Sequence, residues 1–261
     1  MRIAVLMKQV PDTEDVKLDE EKGTMIREGI GAVINPLDLH AIEAGRQFVE
    51  QDGGTLSVFS MGPPQTEESL REAIAMGAHT ATLLTDRKFG GADTWATART
   101  LCEILKLEGP FDLILAGEKA TDGETGQVGP EVAAMLGIPF STYVSAIEKK
   151  SDGVIVTRTV EDGYETQFLP FPCLLTVLNN LNQPGMPTLA GKKRGHSATL
   201  KIVKAADLSI PEDELGLIGS PTRVSKVFYP KIQRKCEVYT LSDIRTGIER
   251  IVRELKNRAL L

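Results

Sequence analysis

Leu113-Ile114-Leu115-Ala116-Gly117-Glu118-Lys119-Ala120-Thr121-Asp122-Gly123-Glu124-Thr125-Gly126-Gln127-Val128-Gly129-Pro130 decides how this chain is read. The apolar run at its start suits a buried strand, and a helix opens at Pro130 and runs to Leu136. Between them lies a glycine-rich loop. Glycines let a backbone approach a ligand closely, and a helix N-terminus offers unpaired N–H donors and a partial positive charge. The segment reads either as a phosphate-binding loop or as an ordinary connection with turn glycines. It is neither a Walker loop nor a Gly-x-Gly-x-x-Gly fingerprint.

Working outward, the same strand-then-helix unit repeats. Residues 2–7 read as a buried parallel strand. Asn35-Pro36-Leu37-Asp38 opens a helix, with Asn35 at the N-cap, Pro36 at the first helical position and Asp38 in the first turn. Ala41, Ala44 and Phe48 form its apolar stripe, and Gly53-Gly54 ends it. A second strand spans 56–61, followed by Gly62-Pro63-Pro64 and a helix through Leu70, Ala73 and Ile74. A third strand spans 81–84, and Asp93 then caps a helix with Ala98, Leu101, Cys102 and Leu105 on one face. Four such units predict an α/β fold: a mostly parallel sheet with helices on both faces. Ligands of such sheets sit beyond the carboxyl ends of the strands. The loops at 7–12, 35–38, 60–64, 86–97 and 117–129 are expected to share one crevice there.

The pattern changes after about residue 140. Strands at 154–158 and 166–169 flank Glu161-Asp162-Gly163 and predict an antiparallel hairpin, 154–169. Leu174 to Leu178 is a further strand. Residues 179–238 are rich in Pro, Gly and Lys and weakly periodic, so they need something to lie on. An amphipathic helix ends the chain, with Ser242 as its cap and Ile244, Ile248, Ile251, Val252 and Leu255 on one face. The expected division is a nucleotide-binding domain, 1–190, and a C-terminal arm, 191–261. The arm's apolar stripe suits docking on a partner chain or on the chain's own domain.

Composition narrows the classes. The chain has 261 residues, 41% hydrophobic and 25% charged, with a formal net charge of −6. No basic field points to nucleic acid, and 5% aromatics leave few stacking platforms for single strands. No apolar stretch reaches membrane-span length. Cys102, Cys173 and Cys236 are far apart and odd in number, which predicts reduced core cysteines in a cytoplasmic protein, without metal-ligand spacing. His40, His79 and His196 are isolated, so no histidine metal site is expected.

The ordered set of local motifs is more specific. Met7-Lys8-Gln9-Val10-Pro11-Asp12, Ile34-Asn35-Pro36, Met61-Gly62-Pro63, Ala75-Met76-Gly77-Ala78 and the 117–130 loop are followed by Arg158 to Thr176. Leu181-Asn182-Gln183-Pro184-x-Met186-Pro187-Thr188-Leu189 closes the set. Together they resemble the beta subunit of electron transfer flavoproteins over nearly the whole chain.

That resemblance implies a heterodimer with an alpha subunit carrying FAD, serving an acyl-CoA dehydrogenase-type or related flavoenzyme. It implies an adenine nucleotide on the α/β domain: structural AMP in conventional members, a second FAD reduced by NADH in electron-bifurcating ones. Bifurcating members also deliver electrons to ferredoxin or flavodoxin. Three segments look like the bifurcating branch: Thr121 to Pro130, Asp86 to Thr97, and Gly219-Ser220-Pro221-Thr222-x-Val224. A stand-alone ATP- or AMP-binding sensor is the alternative from another class, and the long arm argues against it.

Residue by residue, the resemblance places Leu6, Met7 and Lys8 at the adenosine end, and Asn35, Pro36 and Leu37 at the adenine or ribose. Met61 and Gly62 close from the second strand. Gly117, Lys119, Asp122, Gly123, Thr125, Gly126, Gln127 and Val128 wrap the phosphates, with Asp122 fixing loop amides or a ribose hydroxyl. Gly91, Asp93, Thr94 and Thr97 face a second phosphate or the flavin, and Arg87 is the candidate cation near the flavin. Leu189 matches the anchor that enters a pocket of the partner dehydrogenase, with Lys192, Lys193 and Arg194 steering. Gly185 and Thr159 depart from the family pattern at positions where many relatives carry Arg and an acidic residue. No nucleophile or general acid–base pair stands out, and hydride transfer to a flavin needs none.

Overall fold

The computed structural model describes residues 1–12, 17–19, 24–26, 31–225 and 236–261. Its elements run β1 (Arg2–Leu6), β2 (Gln9–Pro11), β3 (Lys17–Asp19), β4 (Thr24–Ile26), β5 (Ala32–Ile34), α1 (Pro36–Asp52), β6 (Thr55–Met61) and α2 (Thr66–Met76). Then come β7 (Thr80–Leu84), α3 (Thr94–Glu108), β8 (Leu113–Gly117), α4 (Val128–Leu136), β9 (Phe140–Lys149), β10 (Gly153–Val160), β11 (Gly163–Pro170) and β12 (Cys173–Val177). α5 (Leu189–Ser197), β13 (Lys201–Val203) and α6 (Ile244–Asn257) complete the set.

Nine strands form one sheet in the order β11-β10-β9-β12-β8-β1-β6-β7-β13. The pairings from β9 through β13 by way of β12, β8, β1, β6 and β7 are parallel, while β9-β10-β11 is an antiparallel meander. The α/β expectation holds. The central strands are apolar on both faces because both are covered. Ile3, Val5, Leu56, Val58, Leu113 and Leu115 pack with Ala41, Ile42, Leu70 and Ala73 of α1 and α2. Ala4, Leu6, Phe59, Ile114 and Ala116 pack with Ala98, Leu101, Ile104 and Val132 of α3 and α4. Alternation of side chains along each strand assigns them to the two layers.

Sheet order sets where a ligand crevice falls. From β1 the chain adds β6 and β7 on one side, then returns to place β8 on the other. The switch point therefore lies between the carboxyl ends of β1 and β8, where neighbouring connections part and leave a cleft.

Several boundaries move. α4 starts at Val128 rather than Pro130. β9 and β13 were not expected; β9 is short of clear alternation, and β13 is a three-residue edge strand on β7. The chain divides into compact units at Met1–Ser225 and Lys226–Leu261. Residues 191–225, grouped with the arm by pattern, thus belong to the first unit. α5 lies on α2, where Gly191 and Gly195 sit against the Ala75 and Arg71 carbonyls, and Arg71 Nη1 donates to Gly195, His196 and Ala198 carbonyls. Of the arm, residues 226–235 lie outside the described ones. In the second unit, Asp243 rather than Ser242 precedes α6, and its carboxylate accepts from the Thr240 N–H instead of capping the helix. Cys102 and Cys173 are buried, as expected; Cys236 is exposed, against expectation. No described helix is long and apolar enough to cross a membrane.

Candidate functional site

The cleft between β1 and β8 is built by side chains from the first turn of α1. Pro36 presets the helical backbone at that turn, and Asn35 stands before it, only 1% exposed. Asn35 was expected to cap its own helix, but its side chain makes no capping bond. Instead Nδ2 donates to the Lys119 carbonyl at 2.9 Å and Oδ1 accepts from the Thr121 N–H at 3.2 Å. The amide therefore ties α1 to the glycine-rich loop. Three residues on, Asp38 accepts from the Lys8 N–H at 2.7 Å and from the Gly117 N–H at 3.0 Å. Its carboxylate spans the ends of both central strands. Burial pushes this carboxyl up to about 7, against the lowering effect of those N–H bonds.

Gly117 is required by this closeness. A Cβ there would lie 2.4 Å from Asp38 Oδ1 and 2.8 Å from Leu37. Across the cleft, Lys8 Nζ pairs with Asp122 Oδ1 at 2.7 Å, which joins the β1 end to the loop tip. Lys119 lies 3.8 Å from Glu124. Leu6 and Met7 are buried, Leu37 is half-buried, and Met61 and Gly62 line the β6 end, where the Gly62 N–H donates to the Leu84 carbonyl. Gly123, Thr125 and Gln127 are exposed, and Gly126 has φ +64°, a conformation suited to glycine. Thr121 Oγ1 is buried without a partner among the described residues.

A second helix start, that of α3, meets the start of α4 at the end of the glycine-rich loop. Asp93 caps α3 by accepting from the Ala96 N–H at 3.1 Å, as expected. Its other oxygen accepts from the Thr222 N–H and hydroxyl at 2.9 and 2.8 Å, while its own N–H donates to Ser220 Oγ. Burial opposes its charge, yet these donors hold the carboxyl below its ordinary value. The 219–222 segment is thereby fastened to the α3 start. Thr94 Oγ1 lies 3.3 Å from Gln127 Oε1 and 3.1 Å from Glu131 Oε1, so the α3 and α4 N-termini meet. Burial raises the Glu131 carboxyl. Thr97 is half-buried one turn into α3. Gly91 packs against Leu217, and Arg87 is exposed, its guanidinium without a hydrogen bond or ion pair among the described residues. Asp38, Ser220, Thr222 and Glu131 were missed as parts of this site. Asp38 carried a signal, an acidic residue in a helix first turn, but that signal also fits simple dipole compensation.

The structure places the other predicted group elsewhere. Met186 and Leu189 are 92% and 87% exposed on the segment leading into α5. That segment is moored to α1, where Asn182 Nδ2 donates to the His40 carbonyl at 2.9 Å and the Gly185 N–H to Glu43 at 3.4 Å. Lys192 and Lys193 are exposed. Arg194 is exposed beside them and also donates to the Ile74 carbonyl near the α2 C-terminus.

Fold and cleft together define a doubly wound α/β protein with a glycine-rich loop at its switch point and two helix N-termini opening on it. Residues 22–208 match the electron transfer flavoprotein domain. The electron transfer flavoprotein subunit beta of Thermoanaerobacterium thermosaccharolyticum is 44% identical over the full length of both chains. The caffeyl-CoA reductase-Etf complex subunit CarD of Acetobacterium woodii is 42% identical, again over all of both. Protein FixA of Bradyrhizobium diazoefficiens is 40% identical over 88% of this chain and 83% of its own. The chain belongs to the electron transfer flavoprotein family, on the beta-subunit side of it.

Proposed function

We propose that this chain is the beta subunit of a heterodimeric electron transfer flavoprotein of the bifurcating type, holding FAD in the β1–β8 cleft. The observation that carries the reading is the meeting of two helix N-termini, α3 and α4, over one glycine-rich loop. A mononucleotide phosphate needs one such end; the diphosphate and second half of a dinucleotide can use both. The Thr121 hydroxyl, without a partner among the described residues, and the exposed Thr125 suit phosphate or ribose oxygens. The likeness to a subunit of a caffeyl-CoA reductase-Etf complex supports an assembly with a flavoprotein dehydrogenase.

When bound, the flavin supplies the redox chemistry: it takes a hydride from NADH and releases electrons singly, toward ferredoxin or flavodoxin and toward the alpha-subunit FAD. This chain's residues bind and orient. Asn35, Lys8 and Asp122 hold the cleft closed around the adenosine end. Gly117, Lys119, Gly123, Thr125, Gly126, Gln127 and Val128 offer the loop. Gly91, Asp93, Thr94 and Thr97 present the second helix start, with Arg87 free to reach it. Leu189, Lys192 and Lys193 form the docking surface for the dehydrogenase, and the arm with α6 engages the alpha subunit. A conventional carrier with AMP in the same cleft is the second reading, since the adenosine end is common to both.

Nucleotide content of the denatured, co-purified complex tests this. Two FAD per heterodimer with bleaching by NADH supports bifurcation. One FAD and one AMP, with no NADH response, makes the chain a conventional carrier.

A further inference from the structure

Asp38 belongs to no nucleotide-binding motif, yet it occupies the switch point itself. Its two carboxylate oxygens accept from the N–H of Lys8, two residues past β1, and from the N–H of Gly117, the last of β8. Those two strands pair as far as Leu6 and Ala116, and the connections that leave them part to open the cleft. The side chain is 5% exposed, so ligand has no direct access to it. No cation within the described residues pairs with it: the neighbouring Lys8 ammonium is turned to Asp122 instead. Gly117 approaches so closely that no side chain could be inserted between the two.

We infer that Asp38 is the positioning residue of the cleft: by gripping the backbone where the β1–β8 pairing ends, it sets the separation of the two loops that leave those strands, and with it the affinity for a nucleotide. The inference rests on the nucleotide-binding reading above. A carboxylate accepts both N–H bonds; an asparagine side chain in the same place accepts one and turns a donor toward the other N–H. Leaving a strand-end N–H unpaired lets the two loops drift apart, and phosphate donors on them lose their common aim. The sign of the effect separates this role from simple charge. Removing a negative charge beneath an anion site would by itself strengthen phosphate binding. Removing the grip weakens it.

The test titrates FAD and AMP into the full-length chain by calorimetry at pH 8, for wild type, Asp38→Asn, Gly117→Ala and the double variant. Gly117→Ala keeps Asp38 but pushes on it, with Cβ 2.4 Å from Oδ1, and so disturbs the same grip from the other side if Asp38→Asn does not fold. Ile104→Val, on the core face of α3, is the stability control. Each cleft variant is expected to weaken the tighter-binding nucleotide roughly tenfold or more. The double variant should be little weaker than the worse single one, because both break one grip. Ile104→Val should lower thermal stability with affinity unchanged. Unchanged or tighter binding by Asp38→Asn, with lowered stability alone, overturns the inference and leaves the nucleotide reading standing. Failure of wild type to bind either nucleotide overturns both.

Discussion

Asp38 also makes the stability of the fold depend on pH in a direction opposite to that of most carboxylates. Its ordinary value is 3.8, and burial in the folded chain raises it to about 7. Below pH 3.8 the group is protonated in folded and unfolded chains alike, and its contribution is fully present. Between 3.8 and 7 the unfolded chain has lost the proton while the folded chain keeps it. Unfolding then releases a proton, so stability falls as pH rises and the contribution is gone above about 7. At about 1.36 kcal/mol per pH unit, the interval is worth about 4 kcal/mol, of which about 3 kcal/mol falls between pH 5 and 8. Urea unfolding of wild type and Asp38→Asn across pH 5 to 8 measures it. Subtracting the two curves removes every other titrating group, including Glu131, which burial shifts in the same direction. The wild type should lose about 3 kcal/mol more than the variant as pH rises. A difference that stays constant within about 0.5 kcal/mol over that range refutes the argument, and with it the idea that the carboxyl is buried without a compensating cation.

Three further outcomes follow from single contacts. Asn35→Ala leaves the half-buried Lys119 carbonyl and Thr121 N–H unpaired and should cost about 1–3 kcal/mol in urea unfolding; a change below about 0.5 kcal/mol would show that the loop is held by other means. Asp93→Ala removes the α3 cap and both Thr222 bonds, so it should destabilise by about 1–2 kcal/mol and hasten proteolytic cutting at 216–225, whereas an unchanged cutting pattern there argues that the segment is fastened elsewhere. Leu189→Glu lies on an exposed side chain and should leave unfolding within about 0.5 kcal/mol of wild type while slowing electron delivery to the dehydrogenase by roughly tenfold or more; undiminished delivery removes Leu189 from the docking surface.

The positioning of the Leu189 segment is independent of the chemistry at its tip. Glu43, which holds Gly185, is itself buried; burial opposes its charge, but Arg46 and Gln47 donors keep its carboxyl below the ordinary range. The same helix that grips the cleft with its first turn thus moors the segment leading to Leu189 with its second.

Periodicity carried the architecture. Strands with apolar residues on both faces, separated by helices with a single stripe, allow little but a covered parallel sheet, and the capping roles of Pro36 and Asp93 follow from local backbone chemistry. Ordered short motifs carried the family. What local pattern could not supply was the partner of each polar side chain. Asn35 has the right chemistry for a cap but spends it 84 residues away on Lys119. Arg194 sits exposed in a basic run yet also binds the Ile74 carbonyl near the end of α2. β13 is too short to show a period and exists because β7 offers an unpaired edge. Asp38 reads as a helix-dipole residue until β1 and β8 are laid side by side. Sequence alone determined the central strands, the helices between them and which loops gather at one end of the sheet, because those depend on neighbours within a few residues. Only the tertiary structure decided which side chains hold those loops together, because a buried hydrogen bond is chosen by proximity across the sheet, and strand order, not chain order, sets that proximity.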